Sequence, residues 1–452
     1  MKIVIIGNGK VGSNLSSLLV KEGHDITVID NDAETLRKAQ DTQDVMCIEG
    51  NGANAEVQLE ADVNKAGMLI AATPHDETNM LCCLIAKRLG AGRTISRVRD
   101  PEYFSQIDLI REDLGLSMVI NPERMTADEI FRVLVFSAAA KVEVFAKGRV
   151  ELVEHKLTEN SSFCNMSLAE IYQRTKIKFL ICAVERGSDI FIPGGDFVLQ
   201  AGDRINVSTS HKDVEKLFRS TGMMKDKIKT VMIVGGGRIG FYLARQLSAL
   251  GMRVKIIDNN YERCTELAQE LDKVTVIYGD GTDQDLLLEE GIKDADSFVA
   301  LTGIDEVNII TALYAKNNTN AKVVAKVNRE SYVNLTSQLG LDSVISPKYL
   351  TTSNILSYVR SLENAADSNI ESLYKIVGDR VEAIQFSIRK PIPDLVGIRL
   401  RDLKLKKNTL ICAIIRKRNV IIPGGDDSIE IGDSVVLVSK DYKFSDIKDI
   451  LE

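Results

Sequence analysis

Six glycines, in two groups, have the spacing of a phosphate-binding turn. Each group reads Gly-x-Gly-x-x-Gly, and the second begins 228 residues after the first; the members are Gly7, Gly9, Gly12, Gly235, Gly237 and Gly240. Each group follows a short β-branched run and opens a helix-length segment, where backbone N–H groups can donate to a phosphate. An aspartate, Asp30 or Asp258, ends the next apolar run 18 residues past the third glycine. An acidic group there accepts hydrogen bonds from a ribose diol and repels a 2′-phosphate, so the pattern predicts NAD(H) rather than NADP.

The residues around each fingerprint complete two candidate nucleotide sites. In the first half the candidates are Gly7, Asn8, Gly9, Lys10, Val11, Gly12, Asp30, Asn31, Asn51 and Thr73. In the second half they are Gly235, Gly236, Gly237, Arg238, Ile239, Gly240, Asp258, Asp280, Gly281, Thr282 and Thr302. Lys10 and Arg238 occupy the same place in the two turns and would add positive charge near a phosphate. Thr73 and Thr302 end the fourth predicted strand of each half, where ligands of doubly wound sheets lie.

Several neighbouring residues have both a ligand and a structural interpretation. Asn51 and Asp280 follow the third predicted strand, where they either reach an adenine base or form a turn. The acidic pairs at 76–77 and 305–306 are interpreted as helix caps rather than ligands. The basic residues after the fifth predicted strand are interpreted as solvated charge, with contact to phosphate or to a partner subunit as alternatives; they are Arg97, Arg99, Lys326 and Arg329.

Residues that could catalyse a reaction are sparse. The chain has only four histidines, and none recurs in the second half, since Ile304 takes the place of His75. His75 is interpreted as an exposed loop residue, with a proton donor as the alternative. We find no metal-ligand spacing, no Ser–His–Asp set and no activated cysteine, and the adjacent Cys82–Cys83 pair is interpreted as core rather than as a redox switch. The sequence therefore predicts binding without turnover, and the alternative is an NAD-dependent oxidoreductase with duplicated nucleotide-binding units.

The repeat extends well beyond the glycines and predicts four domains. Each half alternates short apolar strands with helices over about 120 residues, which predicts an α/β fold with a doubly wound, parallel, Rossmann-like sheet. Each sheet is followed by a small β-rich, α+β unit. The predicted domains are a nucleotide-binding domain at 1–140, a small domain at 141–222, a second nucleotide-binding domain at 228–368 and a second small domain at 369–452. The strand order should place each glycine turn at the point where the sheet changes direction.

The small domains are recognised by their own repeat, in which 179–207 matches 409–438. Their Pro-Gly-Gly-Asp turns are interpreted as structural, and the basic run at 416–418 is interpreted as a solvated strand edge. Further expectations are a helix at the end of each small domain (212–220 and 444–452), a linker at 222–229 and helices that leave each large domain at 123–145 and 348–370.

The composition fits a soluble globular protein. Among 452 residues, 44% are hydrophobic and 27% charged, and the formal net charge is −7. An acidic chain has no basic footprint for nucleic acid, which argues against a transcription factor. No segment approaches the roughly 20 apolar residues that a membrane span needs. The first strand runs directly into glycines, so we do not expect a signal peptide.

The paired arrangement as a whole resembles a known family. The matching motifs are GNGKVG and GGGRIG, IDND and IDNN, EGNGA and YGDGT, and IPGGD in both small domains. In this order they resemble the peripheral TrkA subunits of Trk-type potassium uptake systems, whose halves are regulator-of-potassium-conductance (RCK) domains, and the resemblance covers essentially the whole chain. The first half departs from the pattern, with Asn51 and Ala53 where the second has Asp280 and Thr282, and whether the two sites share a ligand stays open.

The resemblance implies a cytoplasmic protein located peripherally at the inner face of the plasma membrane. It implies a homo-oligomer, a tetramer or a ring, beneath a potassium-translocating membrane subunit of the TrkH type. The implied ligands are NAD(H) and also ATP or ADP, which would shift the assembly between conformations that open or close the membrane partner. No catalysis, no insertion into the membrane and no contact with nucleic acid are implied.

Overall fold

The structure is a computed structural model that describes most of the chain. The described residues are 1–135, 141–145, 150–159, 161–175, 177–210, 228–341, 343–363, 370–377, 380–417, 419–442, 444 and 446–452. The helix expected at 212–220, most of the linker expected at 222–229 and Arg418 lie outside these residues. The boundaries between the four expected domains also fall at or next to undescribed segments and stay predictions.

The first half begins with a six-stranded, all-parallel sheet in the order β3-β2-β1-β4-β5-β6. Its strands are β1 Lys2–Ile6, β2 Asp25–Asp30, β3 Met46–Glu49, β4 Met68–Ala71, β5 Arg93–Arg97 and β6 Met118–Ile120. Its helices are α1 Lys10–Lys21, α2 Ala33–Thr42, α3 Ala55–Glu60, α4 Asp76–Leu89, α5 Pro101–Ile110 and α6 Pro122–Val135. Strands β1 and β4 are neighbours although three α-helices and two strands separate them along the chain. The glycine turn after β1 therefore lies at the topological switch point, as expected.

The small unit that follows is a five-stranded sheet in the order β10-β9-β11-β8-β7 with antiparallel pairing. Its elements are β7 Lys141–Phe145, β8 Val150–Lys156, α7 Leu168–Thr175, β9 Leu180–Arg186, β10 Asp189–Phe191 and β11 Arg204–Ser210. The helix expected within 123–145 ends at Val135, and 141–145 is strand β7.

The second half repeats both sheets. Its parallel sheet has the order β14-β13-β12-β15-β16-β17, with β12 Thr230–Val234, β13 Arg253–Asp258, β14 Val274–Tyr278, β15 Ser297–Ala300, β16 Lys322–Lys326 and β17 Val344–Ile345. Its helices are α8 Arg238–Ala249, α9 Tyr261–Glu270, α10 Gln284–Glu289, α11 Asp305–Asn318, α12 Glu330–Gln338 and α13 Pro347–Glu363. The predicted fold class, two doubly wound parallel sheets each followed by a small α+β unit, is confirmed.

The second small sheet has the order β18-β19-β22-β20-β21. Its strands are β18 Ile370–Ile376, β19 Val381–Ser387, β20 Thr409–Arg416, β21 Asn419–Ile421 and β22 Ser434–Lys440. The helix expected at the end of this unit was wrong in type, because only a four-residue 3₁₀ helix, Ile447–Ile450, forms there. The helix expected at 348–370 ends at Glu363, and Ile370 begins strand β18.

The two large units exchange their last helices. Helix α6 leaves the first unit and buries Ile130 and Val133 in one cluster with Leu243 of α8. In return, α13 buries Ile355 and Val359 in a cluster with the α1 side of the first sheet. Each fully buried side chain of this size contributes about 1.5–3 kcal/mol. The exchange therefore joins the two large units through continuous hydrophobic cores.

Ionic contacts also join the halves. Arg360 of α13 forms ion pairs with Glu22, 2.7 Å away at the end of α1, and with Glu382, 3.3 Å away in β19. Arg360 is 8% exposed and Glu382 is 7% exposed. The guanidinium thus links helix α13 of the second large unit to the first large unit and to the second small sheet.

The two small sheets also share a core. Cys182 of β9 and Cys412 of β20 occupy equivalent positions of the repeat and are buried in the same cluster. The hydroxyl of Ser208 donates to the carbonyl of Cys412 at 3.0 Å, across 204 residues of chain. Equivalent strand positions of the two small sheets therefore pack against each other.

The adjacent cysteines of α4 are core residues, as expected. Cys82 and Cys83 are both 0% exposed, and all seven cysteines are free thiols. Burial raises the pKa of Cys82 to about 12 and raises that of Cys83 further. Thiols with such pKa values are almost entirely protonated near neutral pH, which makes them poor redox nucleophiles. Among the helices described here, none is both long and apolar enough to cross a membrane.

Candidate functional site

The first and third glycines of each turn are required by the backbone. Gly7 has φ of +93° and Gly235 has φ of +104°, a region that favours glycine. A Cβ on Gly7 would lie 2.9 Å from the backbone nitrogen of Thr73, at the end of β4. A Cβ on Gly12 or Gly240 would overlap the carbonyl oxygen of the first glycine of its own turn. These glycines let the turn close against both β4 and the following helix.

The middle glycine of each turn faces open space. A Cβ built on Gly9 or Gly237 has no heavy atom within 4 Å, and both residues have ordinary extended dihedrals. Each is the N-cap of a 12-residue helix, α1 or α8, and neither helix start has a side-chain capping bond. The first-turn N–H groups and the helix dipole are therefore available to an anion beside the middle glycine. The first helical residues, Lys10 and Arg238, are exposed and add positive charge.

The aspartates that end the second strand of each parallel sheet have a structural function that was not predicted from the sequence. The Oδ2 atom of Asp30 accepts the N–H of Asn8 at 2.6 Å, and its Oδ1 accepts that of Asp32 at 3.0 Å. In the second half Asp258 accepts the N–H of Gly236 at 2.7 Å in the same way. Each carboxylate thus fastens the glycine turn to the end of the second strand. A carboxylate has about four acceptor positions, so capacity for a ribose diol remains.

The predicted residues of the first half come together around one crevice. Its volume is about 700 Å³, within the range of small-molecule sites. The predicted residues that line it are Gly7, Gly9, Lys10, Val11, Asp30, Asn31, Asn51 and Thr73. Other residues also line it, among them Asp32, Thr35 and Thr78, which were not predicted, and Arg97, for which contact with phosphate was one of the alternatives. Asn8 and Gly12 do not line the crevice, because they form the inner side of the turn.

The second turn opens partly onto a cavity between the two large units. This cavity has a volume of about 720 Å³ and is lined from both halves. Of the predicted residues, Lys10, Val11, Gly237, Arg238 and Ile239 line it. Its basic lining residues are Lys10, Arg97, Arg238, Lys326, Arg329 and Lys348, and its acidic ones are Glu123, Asp305 and Glu306. The excess of basic groups at two helix starts makes the cavity favourable for anions. The other candidates of the second half do not line it; they are Gly235, Gly236, Gly240, Asp258, Asp280, Gly281, Thr282 and Thr302. The region beside these residues, equivalent to the crevice of the first half, is called the second crevice below.

The interpretation of the basic residues after the fifth strands as solvated charge was largely wrong. The side chain of Arg97 is 18% exposed and that of Arg99 is 22% exposed, and Lys326 lines the same cavity as Arg97. Burial lowers the pKa of Arg97 and of Lys326. For Arg97 and Lys326 the pattern was misleading because both halves of the chain form the cavity that they line, whereas Arg99 lies against Asp76 and Pro74 of its own half. The side chain of Arg329, by contrast, is 61% exposed.

The capping interpretation was wrong for the first residue of each acidic pair. Asp76 and Asp305 are only 6% and 5% exposed, and the N-cap positions of their helices belong to the residues before them. Each carboxylate instead accepts two backbone N–H groups from the loop after the fifth strand, at 2.8–2.9 Å; the donors are Arg99, Asp100, Asn328 and Arg329. The two aspartates therefore fix that loop against the start of the helix.

Asn51 and Asp280, which follow the third strand of each parallel sheet, form turns. This was one of the two interpretations of these residues, the other being contact with an adenine base. The Oδ1 atom of Asn51 accepts the N–H of Ala53 at 2.9 Å. The Oδ1 atom of Asp280 accepts the N–H and hydroxyl of Thr282 at 2.9 and 2.8 Å, and these bonds lower the pKa of Asp280. Asn51 also lines the crevice, so the turn does not rule out contact with a base.

A buried asparagine orders the end of the fourth strand and was missed. Asn79, which is 0% exposed, accepts the N–H and hydroxyl of Thr73 at 2.8 and 2.7 Å. Its amide donates to the carbonyls of Thr73 and Arg97 at 3.1 and 3.0 Å. Asn308 makes the same four kinds of bond in the second half. The sequence did contain a sign of this role, because the asparagine recurs at the same position of the repeat, in DETNM and DEVNI.

We expect Asn79→Ala to lower the free energy of unfolding by about 2 kcal/mol, because it leaves buried backbone groups of the fourth and fifth strands unpaired. Asn308→Ala should have the same effect in the second half. Urea unfolding followed by far-UV circular dichroism measures the change. Asn318→Ala, at the exposed end of α11, is the control and should change stability by less than about 0.5 kcal/mol. Equal midpoints for all three variants would contradict this assignment.

In the small units, the interpretation of the basic run at 416–418 as a solvated edge was wrong for Arg416. Its guanidinium binds Asp433, which is 1% exposed, at 2.9 Å. Arg186 binds Asp203 at 2.7 Å in the same way in the first half. Each of these aspartates follows a glycine, Gly202 or Gly432, and is a buried ion-pair partner in its unit.

The described residues offer no metal centre, since no group of three or more His, Cys, Asp or Glu side chains among them could hold an ion. His75, the one candidate proton donor, is exposed at the rim of the crevice.

Comparison with known proteins agrees with this arrangement. The TrkA-N domain model matches residues 3–122 and 231–347, and the TrkA-C domain model matches 152–222 and 385–451. The chain belongs to the TrkA family. The two TrkA-N matches contain the two glycine turns, and the two TrkA-C matches contain the Arg–Asp ion pairs of the small sheets.

Full-length TrkA relatives support the same assignment. A "Trk system potassium uptake protein TrkA homolog" of Archaeoglobus fulgidus is 34% identical over 450 residues, which is 100% of each chain. The TrkA proteins of Halomonas elongata and Vibrio alginolyticus are 34% and 33% identical. They cover 97% and 100% of this chain and 95% and 99% of their own. The predicted resemblance is confirmed, and it places this chain among proteins of potassium transport with repeated domains.

Solved structures confirm the TrkA chain's RCK-type fold. The GsuK RCK domain matches with a TM-score of 0.64 at 21% identity, over 97% of this chain and 92% of that one. The GsuK channel bound to NAD matches with a TM-score of 0.64 at 19% identity, over 97% and 77% of the two chains. At these identities the matches show the shared fold.

Proposed function

We propose that this chain is a regulatory subunit that binds adenine nucleotides in the cytoplasm and gates a Trk-type potassium-translocating membrane protein, without catalysing a reaction. The observation that carries the proposal is the duplicated turn geometry. In both halves an open middle glycine begins a helix without a capping side chain, and an aspartate at the adjacent strand end fastens that turn. One nucleotide-binding unit is typical of a dehydrogenase, whereas two such units that line one shared cavity favour a protein that senses ligands.

The proposed ligands are NAD(H) and also ATP or ADP. Their phosphates would lie beside Gly9 or Gly237, where nothing occupies the space that a side chain would fill. Their ribose would bind Asp30 or Asp258. The crevice volume of about 700 Å³ accommodates a nucleotide. The related fold of a GsuK channel bound to NAD supports this ligand class.

The proposed coupling runs through the boundary between the two large units. Lys10 and Arg238, each beside a proposed phosphate position, line one shared cavity there. A ligand shifts a conformational equilibrium only through its different affinities for the two states, which typically amounts to about 1–3 kcal/mol. Phosphates that attract basic groups from both halves would favour a closed boundary. The exchanged helices α6 and α13 would carry that movement towards the small sheets.

The proposed partners are further copies of this chain, as a tetramer or a ring, and a membrane subunit of the TrkH type. Apolar side chains left exposed on the large units support assembly, among them Leu109 of α5 at 82% and Ile310 of α11 at 66%. The corresponding proposal for location is the cytoplasm, peripherally at the inner face of the plasma membrane.

Channel recording tests the proposed function most directly. The membrane partner would be reconstituted with this chain and its potassium conductance recorded without nucleotide, with ATP and with NADH. We expect conductance to depend on both the chain and the nucleotide. Regulation by nucleotide would be excluded if the conductance did not change with nucleotide and if neither NADH nor ATP bound with a dissociation constant below about 1 mM. Steady NADH consumption that His75→Ala abolishes would instead identify an oxidoreductase.

Removing either aspartate should weaken nucleotide binding in its own half. We expect Asp30→Ala to raise the dissociation constant for NADH about tenfold or more, because the ribose loses a charged acceptor. Asp258→Ala should do the same for the second crevice. Isothermal titration calorimetry measures both, and Asp30→Asn separates the lost charge from the lost tie to Asn8. Asp25→Ala, exposed at the other end of the same strand, should bind normally; a loss there equal to that of Asp30→Ala would contradict the assignment.

A further inference from the structure

The two halves differ beside the aspartate that follows each glycine turn. In the second half, Tyr261 begins α9 and Tyr278 ends β14, and their rings stand edge to face with centroids 5.6 Å apart. The first half has Ala33 and Glu49 at the equivalent positions. The two tyrosines are 69% and 61% exposed. The second half thus has an exposed aromatic pair that the first half lacks.

The pair lies where the base of a bound nucleotide would extend. Tyr278 is the register partner of Asp258 in the neighbouring strand, and paired residues of adjacent strands project from the same face of the sheet. Asp258 in turn binds the N–H of Gly236. Glycine turn, aspartate and tyrosine therefore follow one another outward along the edge of the sheet, in the order phosphate, ribose, base.

We propose that Tyr261 and Tyr278 form a stacking surface for the adenine base in the second crevice, and that this surface makes the second crevice more selective for the base than the first. The proposal rests on the proposed function, since it assumes that the crevices bind adenine nucleotides. Every purine has a face that stacks on an aromatic ring. At the first crevice Ala33 has no ring, and the carboxylate of Glu49, also exposed, gives a base nothing to stack on. The two halves thus share their phosphate and ribose contacts but not their base contacts.

The test uses the full chain with Gly9→Asp, which blocks the first crevice so that the second alone reports. ADP is titrated by calorimetry, and UDP serves as a nucleotide whose smaller base stacks less. We expect Tyr261→Ala and Tyr278→Ala each to weaken ADP binding about tenfold, with a smaller effect on UDP. The corresponding Phe variants keep the ring and should bind ADP normally. Tyr172→Ala is the control, because Tyr172 is 51% exposed on α7, in a small domain.

The reverse experiment transfers the surface to the first crevice. In a chain with Gly237→Asp, the paired change Ala33→Tyr and Glu49→Tyr should tighten ADP binding several-fold and increase the preference for ADP over UDP. Thermal melting shows whether each variant is folded.

The outcomes separate this proposal from the proposed function. Unchanged ADP affinity in both alanine variants would overturn the stacking surface and leave the proposed function standing. ADP binding only in the first crevice would also overturn it. Failure of the unmodified chain to bind ADP, ATP or NADH at all would overturn the proposed function itself, and the stacking surface with it.

Discussion

Replacing Gly9 with aspartate is expected to abolish nucleotide binding in the first crevice while the chain stays folded. The dihedrals of Gly9 are φ −68° and ψ −164°, which any residue adopts, and a Cβ there meets nothing within 4 Å. The new carboxylate would occupy the space beside the helix start and repel a phosphate. Gly237→Asp should have the same effect in the second crevice, where the surroundings are equally open.

Calorimetric titration with ADP and NADH measures the loss, which we expect to exceed a hundredfold in dissociation constant for the blocked crevice. Gly194→Asp is the matched control, because Gly194 also has open surroundings but lies in a small sheet unit. Gly12→Ala is the opposite control: its Cβ would overlap the carbonyl of Gly7, so it should lower stability. Normal binding by a folded Gly9→Asp and Gly237→Asp double variant would place the nucleotide elsewhere.

Replacing Arg360 with methionine is expected to lower the free energy of unfolding by about 3 kcal/mol or more. The change keeps most of the aliphatic volume but removes the cation that Glu22 and Glu382 share at 2.7 and 3.3 Å. Glu382 is 7% exposed, so its carboxylate would be left in an apolar environment without that partner, which is costly. Because the three residues belong to three structural units, the loss should also loosen the packing of α13 against α1.

Urea unfolding measures the change in stability, and hydrogen exchange of α1 and α13 locates it. Arg329→Met is the matched control, because Arg329 forms its ion pair with Glu306 at 2.9 Å with side chains 61% and 45% exposed. Surface pairs of this kind contribute about 0–1 kcal/mol. Equal effects of the two substitutions would show that Arg360 does not hold the units together.

The parts of the site that depend on local backbone geometry could be predicted from the sequence. Gly7 and Gly12 have the spacing of a closed turn, and the structure shows a positive φ at the first and no room for a side chain at the second. Asp30 was predicted at the crevice for the same reason, since it ends the strand beside the turn. Its bond to the N–H of Asn8 was not foreseen, because spacing specifies where a carboxylate lies but not which donors it meets.

The errors arose where distant segments of the chain meet. Arg97 was interpreted as solvated, yet its side chain is only 18% exposed and lines a cavity formed by both halves. Asp76 was interpreted as a cap, yet it accepts the N–H groups of Arg99 and Asp100, more than 20 residues away. A polar residue near a helix start has the same local pattern whether its partner is that helix or a loop of another strand. The role of Asn79 was not predicted because its partner Arg97 lies on another strand.

The sequence by itself determined the repeat, the two parallel sheets and the turn glycines, because these follow from hydrophobic periodicity and from dihedrals that only certain residues adopt. The family was identified from the sequence through the resemblance of its paired motifs. Only the tertiary structure decided that α6 and α13 are exchanged between the large units, that Arg360 joins three units, and that the rings of Tyr261 and Tyr278 pack edge to face. Such contacts join residues far apart in the chain. Their free energy depends on burial and mutual distance, which no local pattern encodes.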